Sequence, residues 1–246
     1  MTTDGKAQPR TGILRRLRRA SAKKTKPLMN TYQSVFYDVA NACLRIALRL
    51  FASIEIVGVE NVPHQGQLIV CGNHTKWLDP LLVGAFIPRR IVFMSKKENF
   101  SNPFGRFLVS SYGVFSIDRG NVDRAAITRT DEVLEAGGAL GMFPEGHRSE
   151  TGELRRAKAG TALVAVRHNA PILPISIAGA QKGLFGPYLH LHRPRIRLVI
   201  GKPFILPHVE GEAIGKDTLT RMTDDLMRPI AEGLPVEQQG YYREIK

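Results

Sequence analysis

The sequence is poor in cysteine, tryptophan and acidic residues. Its 246 residues include two cysteines, Cys43 and Cys71, and one tryptophan, Trp77. There is no CxxC pair and no His-Cys cluster, so the sequence predicts neither a disulfide framework nor a structural zinc site. Its first residues lack the apolar core of a secretory signal. We therefore expect a reducing, cytoplasmic setting, with Trp77, whose neighbours are apolar, in the core.

Acidic residues are scarcest at the amino terminus. Residues 1–30 hold nine Lys and Arg residues against one acid, Asp4, which places +8 of the total charge of +13 there. Such a tail favours a polyanionic partner, either anionic lipid headgroups or nucleic acid. A solvated tail that aids solubility is a third interpretation. The tail has no aromatic residues for base stacking, which argues against nucleic acid.

Three segments follow from the pattern of polar and apolar residues. Residues 1–28 are predicted to be a basic, flexible tail. Residues 29–52 carry apolar side chains at helical spacing, interrupted by three charged ones. This pattern predicts an amphipathic helix lying in a membrane interface, although a helix packed on its own domain fits it equally well. Residues 53–246 are predicted to form the main domain.

Short strand-like runs alternate with helical ones along the main domain. Strands are predicted at 54–59, 68–71, 91–95, 114–117, 139–143, 172–178 and 195–200. Helices are predicted at 78–86, 104–110, 124–135 and 160–168. A terminal helix around 219–230 should end or kink at Pro229. The alternation predicts an α/β fold, with a mostly parallel or mixed central sheet flanked by helices.

A histidine and an aspartate follow the predicted strand at 68–71. His74 lies in the turn after the strand, and Asp79 lies five positions on, at the start of a helix. Open α/β sheets bind ligands at such strand ends. The carboxylate can hold one ring nitrogen of His74 and leave the other to take a proton. A loop histidine beside a helix-capping aspartate is the alternative.

A second strand end, after 139–143, carries Glu145, Gly146 and Arg148. Gly146 permits close approach of the backbone, and Arg148 offers a planar fork of donors suited to a phosphate monoester. A surface loop with an ion-paired arginine fits the same residues. Polar groups at two strand ends together favour a site.

From about residue 54 to residue 203, the chain resembles the glycerolipid acyltransferases, particularly the 1-acylglycerol-3-phosphate acyltransferases. The resemblance rests on four blocks: Asn73-His74 with Asp79-Pro80, residues 113–119, Pro144-Glu145-Gly146 with Arg148 and Ser149, and residues 170–175. His147 stands where the family most often has threonine. Lys158 matches a basic position of the family, but its usual aromatic neighbour is replaced by Ala157.

The resemblance implies a reaction and a set of site residues. His74 would act as general base, oriented by Asp79, in acyl transfer from an acyl-coenzyme A or acyl carrier protein thioester to the sn-2 hydroxyl of a lysophospholipid, 1-acylglycerol 3-phosphate. The substrate-binding residues that it implies are Gly113, Arg119, Glu145, Gly146, Arg148, Lys158 and Pro174. It implies no metal, and no cofactor besides the thioester co-substrate.

Other functions fit parts of the sequence. The acceptor could instead be glycerol 3-phosphate, another lysophospholipid or a lyso-aminolipid, because an arginine that binds phosphate does not identify the rest of the molecule. A basic nucleic-acid-binding protein and a metal-dependent phosphohydrolase are alternatives of other classes. The sequence has no recognised nucleic-acid module and no cluster of metal-binding carboxylates. The basic tail and helix predict peripheral or monotopic attachment to the cytoplasmic face of the cell membrane, through an anionic surface.

Overall fold

The computed structural model describes residues 27–118, 123–180, 193–207 and 215–244. The predicted basic tail, residues 1–28, lies outside these ranges except for its last two residues. Arg119 lies outside them as well. What was expected of the tail and of Arg119 therefore stays a prediction.

Seven strands form one mixed sheet. In chain order they are β1 (Ser53–Val57), β2 (Leu68–Gly72), β3 (Ile91–Lys96), β4 (Phe115–Ile117), β5 (Ala139–Met142), β6 (Ile172–Ala178) and β7 (Arg195–Ile200). Their order across the sheet is β1-β7-β6-β2-β5-β3-β4. Neighbouring strands run parallel except β6 and β7, which run antiparallel. The predicted α/β fold with a mixed sheet is confirmed.

The burial of each strand explains its sequence. All five residues of β2 are buried, as are six of the seven in β6. Strands covered on both faces read as continuous apolar runs. In β7, by contrast, Ile196 and Leu198 are buried while Arg195 and Arg197 are exposed. One face of β7 therefore contacts solvent.

Helices flank the sheet. Those in the described ranges are α1 (Thr31–Phe51), α2 (Asp79–Phe86), α3 (Pro103–Ser111), α4 (Arg124–Glu135), α5 (Gly160–Arg167) and α6 (Lys216–Glu232). Three of them begin at a side-chain cap: Asn30 for α1, Asn102 for α3 and Asp123 for α4. Each cap satisfies backbone amides that have no partner within the helix, so these helix starts are determined locally.

Helix α1 has apolar side chains on two faces. Its inner face, which buries Tyr37, Asn41 and Leu48, packs against α2 and α3. A second row of side chains, at spacings of three and four, is exposed and uncharged. This row consists of Tyr32, Val35, Val39, Cys43, Ile46 and Leu50, and we call it the outer stripe. Because residues so spaced share one side of a helix, the outer stripe is a continuous apolar surface.

The three charged residues of α1 contact residues elsewhere in the domain. Asp38 pairs with Arg90 at 2.5 Å, and a hydrogen bond from Arg90 lowers the pKa of Asp38. Arg45 donates to a backbone carbonyl of α2 at 3.1 Å, and the guanidinium of Arg49 lies 5.5 Å from the ring centre of Phe86. These charges were expected to face water at a membrane interface. All three contact the domain, Asp38 and Arg49 are also exposed to solvent, and none of them lies in the outer stripe.

Helix α6 does not end at Pro229. It continues to Glu232, so of the predicted end or kink at this proline the end does not occur, and the kink stays a prediction. Proline inside a helix removes one backbone hydrogen bond and destabilises it by about 3 kcal/mol. Leu226, Met227 and Ile230 are fully buried, and each such side chain stabilises by roughly 1.5–3 kcal/mol. Their burial outweighs the effect of the proline.

Candidate active site

His74 and Asp79 form a hydrogen-bonded pair beyond the end of β2. Nδ1 of His74 lies 2.9 Å from Oδ2 of Asp79, the first residue of α2, whose side chain is fully buried. The same oxygen accepts the amides of Thr75 and Lys76 at 2.6 and 2.7 Å. The carboxylate thereby fixes both the loop and the ring, so that Nδ1 carries the proton and Nε2 is the ring's acceptor. The expected contact is present, and the catalytic roles stay predictions.

The loop after β5 holds the backbone of His74. In the parallel pair of β2 and β5, Cys71 lies opposite Met142, so the segments that follow leave the sheet side by side. Oε1 of Glu145 accepts the amide of His74 at 2.7 Å. The carbonyl of His74 accepts the amide of Ser149 at 2.7 Å. The two predicted blocks therefore form one unit around His74.

Glu145 connects main-chain segments. Its second oxygen, Oε2, accepts the amide of Arg155 at 2.9 Å. Burial raises the pKa of Glu145 to about 7, and the hydrogen bonds from the amides of Arg155 and His74 oppose that shift. Glu145 was predicted to shape the acceptor pocket. Both its oxygens bind backbone amides, and its side chain does not line the cavity described below, so its part in shaping the acceptor pocket stays a prediction.

Phe143 packs against the imidazole of His74. The two ring centres are 4.4 Å apart and the ring planes differ by 24°. Phe93, from β3, stacks on Phe143 with centres 6.4 Å apart and planes 13° apart. The His74 ring is thus contacted at its edge by Asp79 and over its face by Phe143.

A cavity of about 630 Å³ opens beside His74. Apolar side chains of α1 and α3 line much of it: Phe36, Ala40, Leu44, Leu108 and Val109. The polar side chains that line it, among the described residues, include His74, Ser95, Lys96, Asn99, His147 and Arg148. A ligand suited to it has a long apolar part and an anionic group. Within the described ranges, no group of three or more His, Cys, Asp or Glu side chains is placed to hold a metal ion.

Arg148 and Lys158 flank the loop that holds His74. Arg148 is exposed and lines the cavity, as the sequence predicted for a phosphate-binding residue. Lys158 is exposed but is not part of the cavity lining; its amide donates to the carbonyl of Pro144 at 2.8 Å. Gly146 has a φ of 74°, and a Cβ there would lie 3.0 Å from Cδ of Lys158. The positive φ favours glycine at this turn, and a Cβ there would also crowd the side chain of Lys158.

Gly113 and Pro174 do not line the cavity, although both were predicted to bind substrate. Gly113 has a φ of 78° in the turn after α3, which places its neighbours Tyr112 and Val114 in the cavity wall. Pro174 lies in β6 just where pairing with β7 stops, and its carbonyl accepts the amide of Gly201 at 2.9 Å. Gly113 therefore acts on the cavity wall through the backbone, and Pro174 takes part in the backbone pairing at the end of the β6–β7 ladder.

The polar cavity residues that were missed from sequence include Ser95, Lys96 and Asn99. Lys96 is the last residue of β3, and Asn99 lies in the turn that follows. Strand β3 pairs with β5 in parallel, so its carboxyl end lies beside the loop that carries Arg148. The sequence signal that could have identified Lys96 as a cavity residue was its position at the end of a predicted parallel strand.

Trp77 was expected in the core, and this was wrong. It is 63% exposed and lies at the edge of the cavity. Its neighbour Leu78 is buried and precedes α2, so the apolar neighbours that suggested burial face inward while Trp77 faces outward. Residues in a turn do not share one side, so apolar neighbours there do not predict burial.

The family comparison decides the identity of this domain. The family model described as Acyltransferase matches residues 53–178, just over half of the 246 residues. The chain belongs to this acyltransferase family. It is therefore an O-acyltransferase, as the four sequence blocks predicted. The match begins at the predicted start of the main domain and includes both strand-end loops around His74.

Individual acyltransferases show the same relationship. The chain is 29% identical to the 1-acyl-sn-glycerol-3-phosphate acyltransferase of Bacillus subtilis over 196 residues, 78% of this chain and 94% of the relative. The enzyme of that name from Pseudomonas aeruginosa is 30% identical over 187 residues, 72% of this chain and 69% of the relative. The one from Borreliella burgdorferi is 31% identical over 145 residues, and the chain spans 58% of its length.

A solved structure has the same fold. The crystal structure of the 1-acyl-sn-glycerophosphate acyltransferase of Thermotoga maritima matches with a TM-score of 0.60 at 21% identity, over 88% of this chain and 86% of that one. The architecture of this acyltransferase, a mixed seven-stranded sheet flanked by helices, is thus that of a known family structure.

Proposed function

We propose that this acyltransferase transfers a fatty acyl group from an acyl thioester to the sn-2 hydroxyl of 1-acylglycerol 3-phosphate, which forms phosphatidate. One observation carries the proposal: the His74–Asp79 pair lies at an apolar cavity that also has Lys96 and Arg148 in its wall. The names of the similar acyltransferases support the acceptor. An acidic lipid headgroup and its hydroxyl suit this combination of side chains.

In the proposed mechanism, His74 acts as general base. Nε2 takes the proton of the acceptor hydroxyl while its oxygen attacks the thioester carbonyl, and Asp79 stabilises the imidazolium at Nδ1. A carbon–oxygen bond forms and the carbon–sulfur bond breaks. The imidazolium returns its proton to the leaving thiolate, so the products are the ester and the free thiol. In this mechanism His74 is the one group that takes the hydroxyl proton and later donates it to the thiolate.

Basic side chains would hold the acceptor phosphate. Arg148 and Lys96 line the cavity together with His74. The guanidinium of an arginine can bind two phosphate oxygens at once. Lys158, exposed beside Gly146, and Arg119, outside the described ranges, are further members predicted from sequence. The apolar lining from α1 and α3 would hold an acyl chain next to the reacting hydroxyl.

The enzyme is proposed to act on the cytoplasmic face of the cell membrane. No helix in the described part of the chain is long and apolar enough to cross a bilayer. The outer stripe of α1 and the exposed Phe104 and Phe107 of α3 would enter the bilayer interface, and the basic residues 1–28 would bind anionic headgroups. Helices α1 and α3 are in contact, since the rings of Phe36 and Phe107 pack edge to face with their centres 6.2 Å apart. Both line the cavity, which gives a lipid acceptor a short path to His74.

A transfer assay with several acceptors and donors tests this function. Labelled acyl groups on coenzyme A and on acyl carrier protein are offered with lysophosphatidate, glycerol 3-phosphate, other lysophospholipids and a lyso-aminolipid. Transfer to lysophosphatidate at least tenfold faster than to the uncharged or zwitterionic acceptors is expected, and Arg148→Ala should raise KM for lysophosphatidate. Equal rates with acceptors that lack a phosphate monoester would contradict the proposed acceptor.

A further inference from the structure

Phe143 covers one face of the histidine that is proposed to become charged. The ring centres of His74 and Phe143 are 4.4 Å apart with planes at 24°, close to parallel. The His74 side chain is only 13% exposed, so little water competes for that face. Hydrogen-bond partners of the ring lie in its plane, and Phe143 is the described aromatic ring that stacks on it.

The position of Phe143 is determined by the sheet. Phe143 directly follows β5, which pairs in parallel with β2, and its carbonyl accepts the amide of Gly146 at 3.0 Å. Phe93 stacks on Phe143 at 6.4 Å, and Gly141 leaves room for Phe93, because a Cβ at residue 141 would lie 2.3 Å from that ring. The backbone at the end of β5 and the ring of Phe93 therefore both hold the phenyl group of Phe143 against His74.

A phenyl face interacts differently with the two charge states of an imidazole. The face of an aromatic ring is electronegative and attracts a cation whose centre lies within about 6 Å. A neutral imidazole gains only packing from that contact. The imidazolium present after proton transfer gains an electrostatic attraction as well, and this attraction is strongest where water is excluded.

We propose that Phe143 is a positioning residue that stabilises the imidazolium of His74 through the face of its ring. The inference rests on the proposed function, in which His74 takes a proton from the acceptor. Asp79 stabilises the charge at the edge of the ring, and Phe143 stabilises it over the face. Because the charge develops only as the reaction proceeds, this contact lowers the barrier and leaves substrate binding almost unchanged.

Fluorination of Phe143 tests this role without changing the shape of the side chain. Phenylalanine with one, two or three ring fluorines is incorporated at residue 143, since each fluorine withdraws charge from the ring face. We expect log kcat to fall stepwise with fluorine number, to a total loss of about 3- to 30-fold, with KM for lysophosphatidate within about twofold. Thermal unfolding of each variant verifies that packing is kept.

Phe86 provides the matched control. It is buried in α2, does not line the cavity, and has the cation of Arg49 over its ring at 5.5 Å. The same fluorination series at Phe86 weakens a cation–ring contact that is purely structural, so kcat should stay constant. A flat series at Phe143, or equal declines at both positions, overturns the inference. A wild-type enzyme without transfer, or a His74→Ala variant that keeps it, instead contradicts the proposed function and removes the basis of the inference.

Discussion

Glu145 and His74 are joined through a carboxylate oxygen and a backbone amide 2.7 Å apart. The other oxygen of Glu145 binds the amide of Arg155 at 2.9 Å, and the glutamate is only 3% exposed. A carboxylate that binds two main-chain amides fixes the distance between their loops. Glu145 thus fixes the backbone of His74, the proposed base.

The raised pKa of Glu145 predicts a pH dependence of stability. In the folded protein burial raises this pKa from 4.5 to about 7. The stability that this group contributes is present below pH 4.5 and is lost as the pH rises through 7. Relative to Glu145→Gln, the wild type should lose about 3 kcal/mol between these pH values. Urea unfolding of both proteins from pH 4.5 to 8 measures the difference, and a constant difference would contradict the assigned pKa.

Asp79→Asn should impair catalysis more than substrate binding. The amide keeps the shape of the side chain but removes the charge that is proposed to stabilise the imidazolium of His74. It also places a donor at the buried Oδ1 position, which has no hydrogen-bond partner among the described residues. We expect kcat to fall by about 10²- to 10⁴-fold, with little change in KM. Single-turnover acyl transfer measures the chemical step. Wild-type turnover in this variant would exclude a role for Asp79.

Ala40→Phe should shorten the acyl chain that the enzyme prefers. Ala40 lines the apolar part of the cavity, so a phenyl group there fills space that an acyl chain would use. We expect at least a tenfold fall in kcat/KM for the longest thioesters relative to the shortest. Ala125→Phe, at an exposed position of α4, is the control. An unchanged chain-length profile in Ala40→Phe would place the acyl chain elsewhere.

The single tryptophan reports on membrane contact. Trp77 is 63% exposed at the cavity edge, so bilayer insertion should let brominated lipids quench its fluorescence. The double variant Phe104→Ser/Phe107→Ser should weaken binding to anionic vesicles by about tenfold or more, because both side chains lose apolar burial.

Leu163 supplies a matched control for that binding measurement. It is 49% exposed on α5 and is not part of the outer stripe or of α3, so Leu163→Ser should bind vesicles like the wild type. Equal affinity of the double variant and the wild type, together with unquenched Trp77 fluorescence in bound protein, would show that another surface contacts the bilayer.

Most of the secondary structure could be predicted because its signals are local. The predicted bounds of α4, β6 and β7 agree with the structure residue for residue. For α4, the cap at Asp123 and the helical spacing of apolar residues lie within the segment itself. The histidine and aspartate of the site could be paired from sequence for the same reason, since they are only five residues apart.

The remaining features depend on contacts between distant segments. The spacing of apolar residues in α1 could not show which of its two faces packs, because both are apolar. Glu145 could not be assigned to the backbone of His74, since the two are separated by 71 positions. The antiparallel direction of β7 and the position of Lys96 in the cavity likewise follow from the order of strands, which no single segment determines.

The most direct test of the proposed base is acyl transfer to lysophosphatidate by His74→Ala beside a matched variant of a second histidine–aspartate pair. His168 lies 2.7 Å from Asp131 and does not line the cavity, so His168→Ala controls for loss of such a pair. At equal folded protein, we expect transfer to be lost in His74→Ala, by about 10³-fold or more, and kept in His168→Ala. Transfer near the wild-type rate in His74→Ala would contradict the role of His74 as the base.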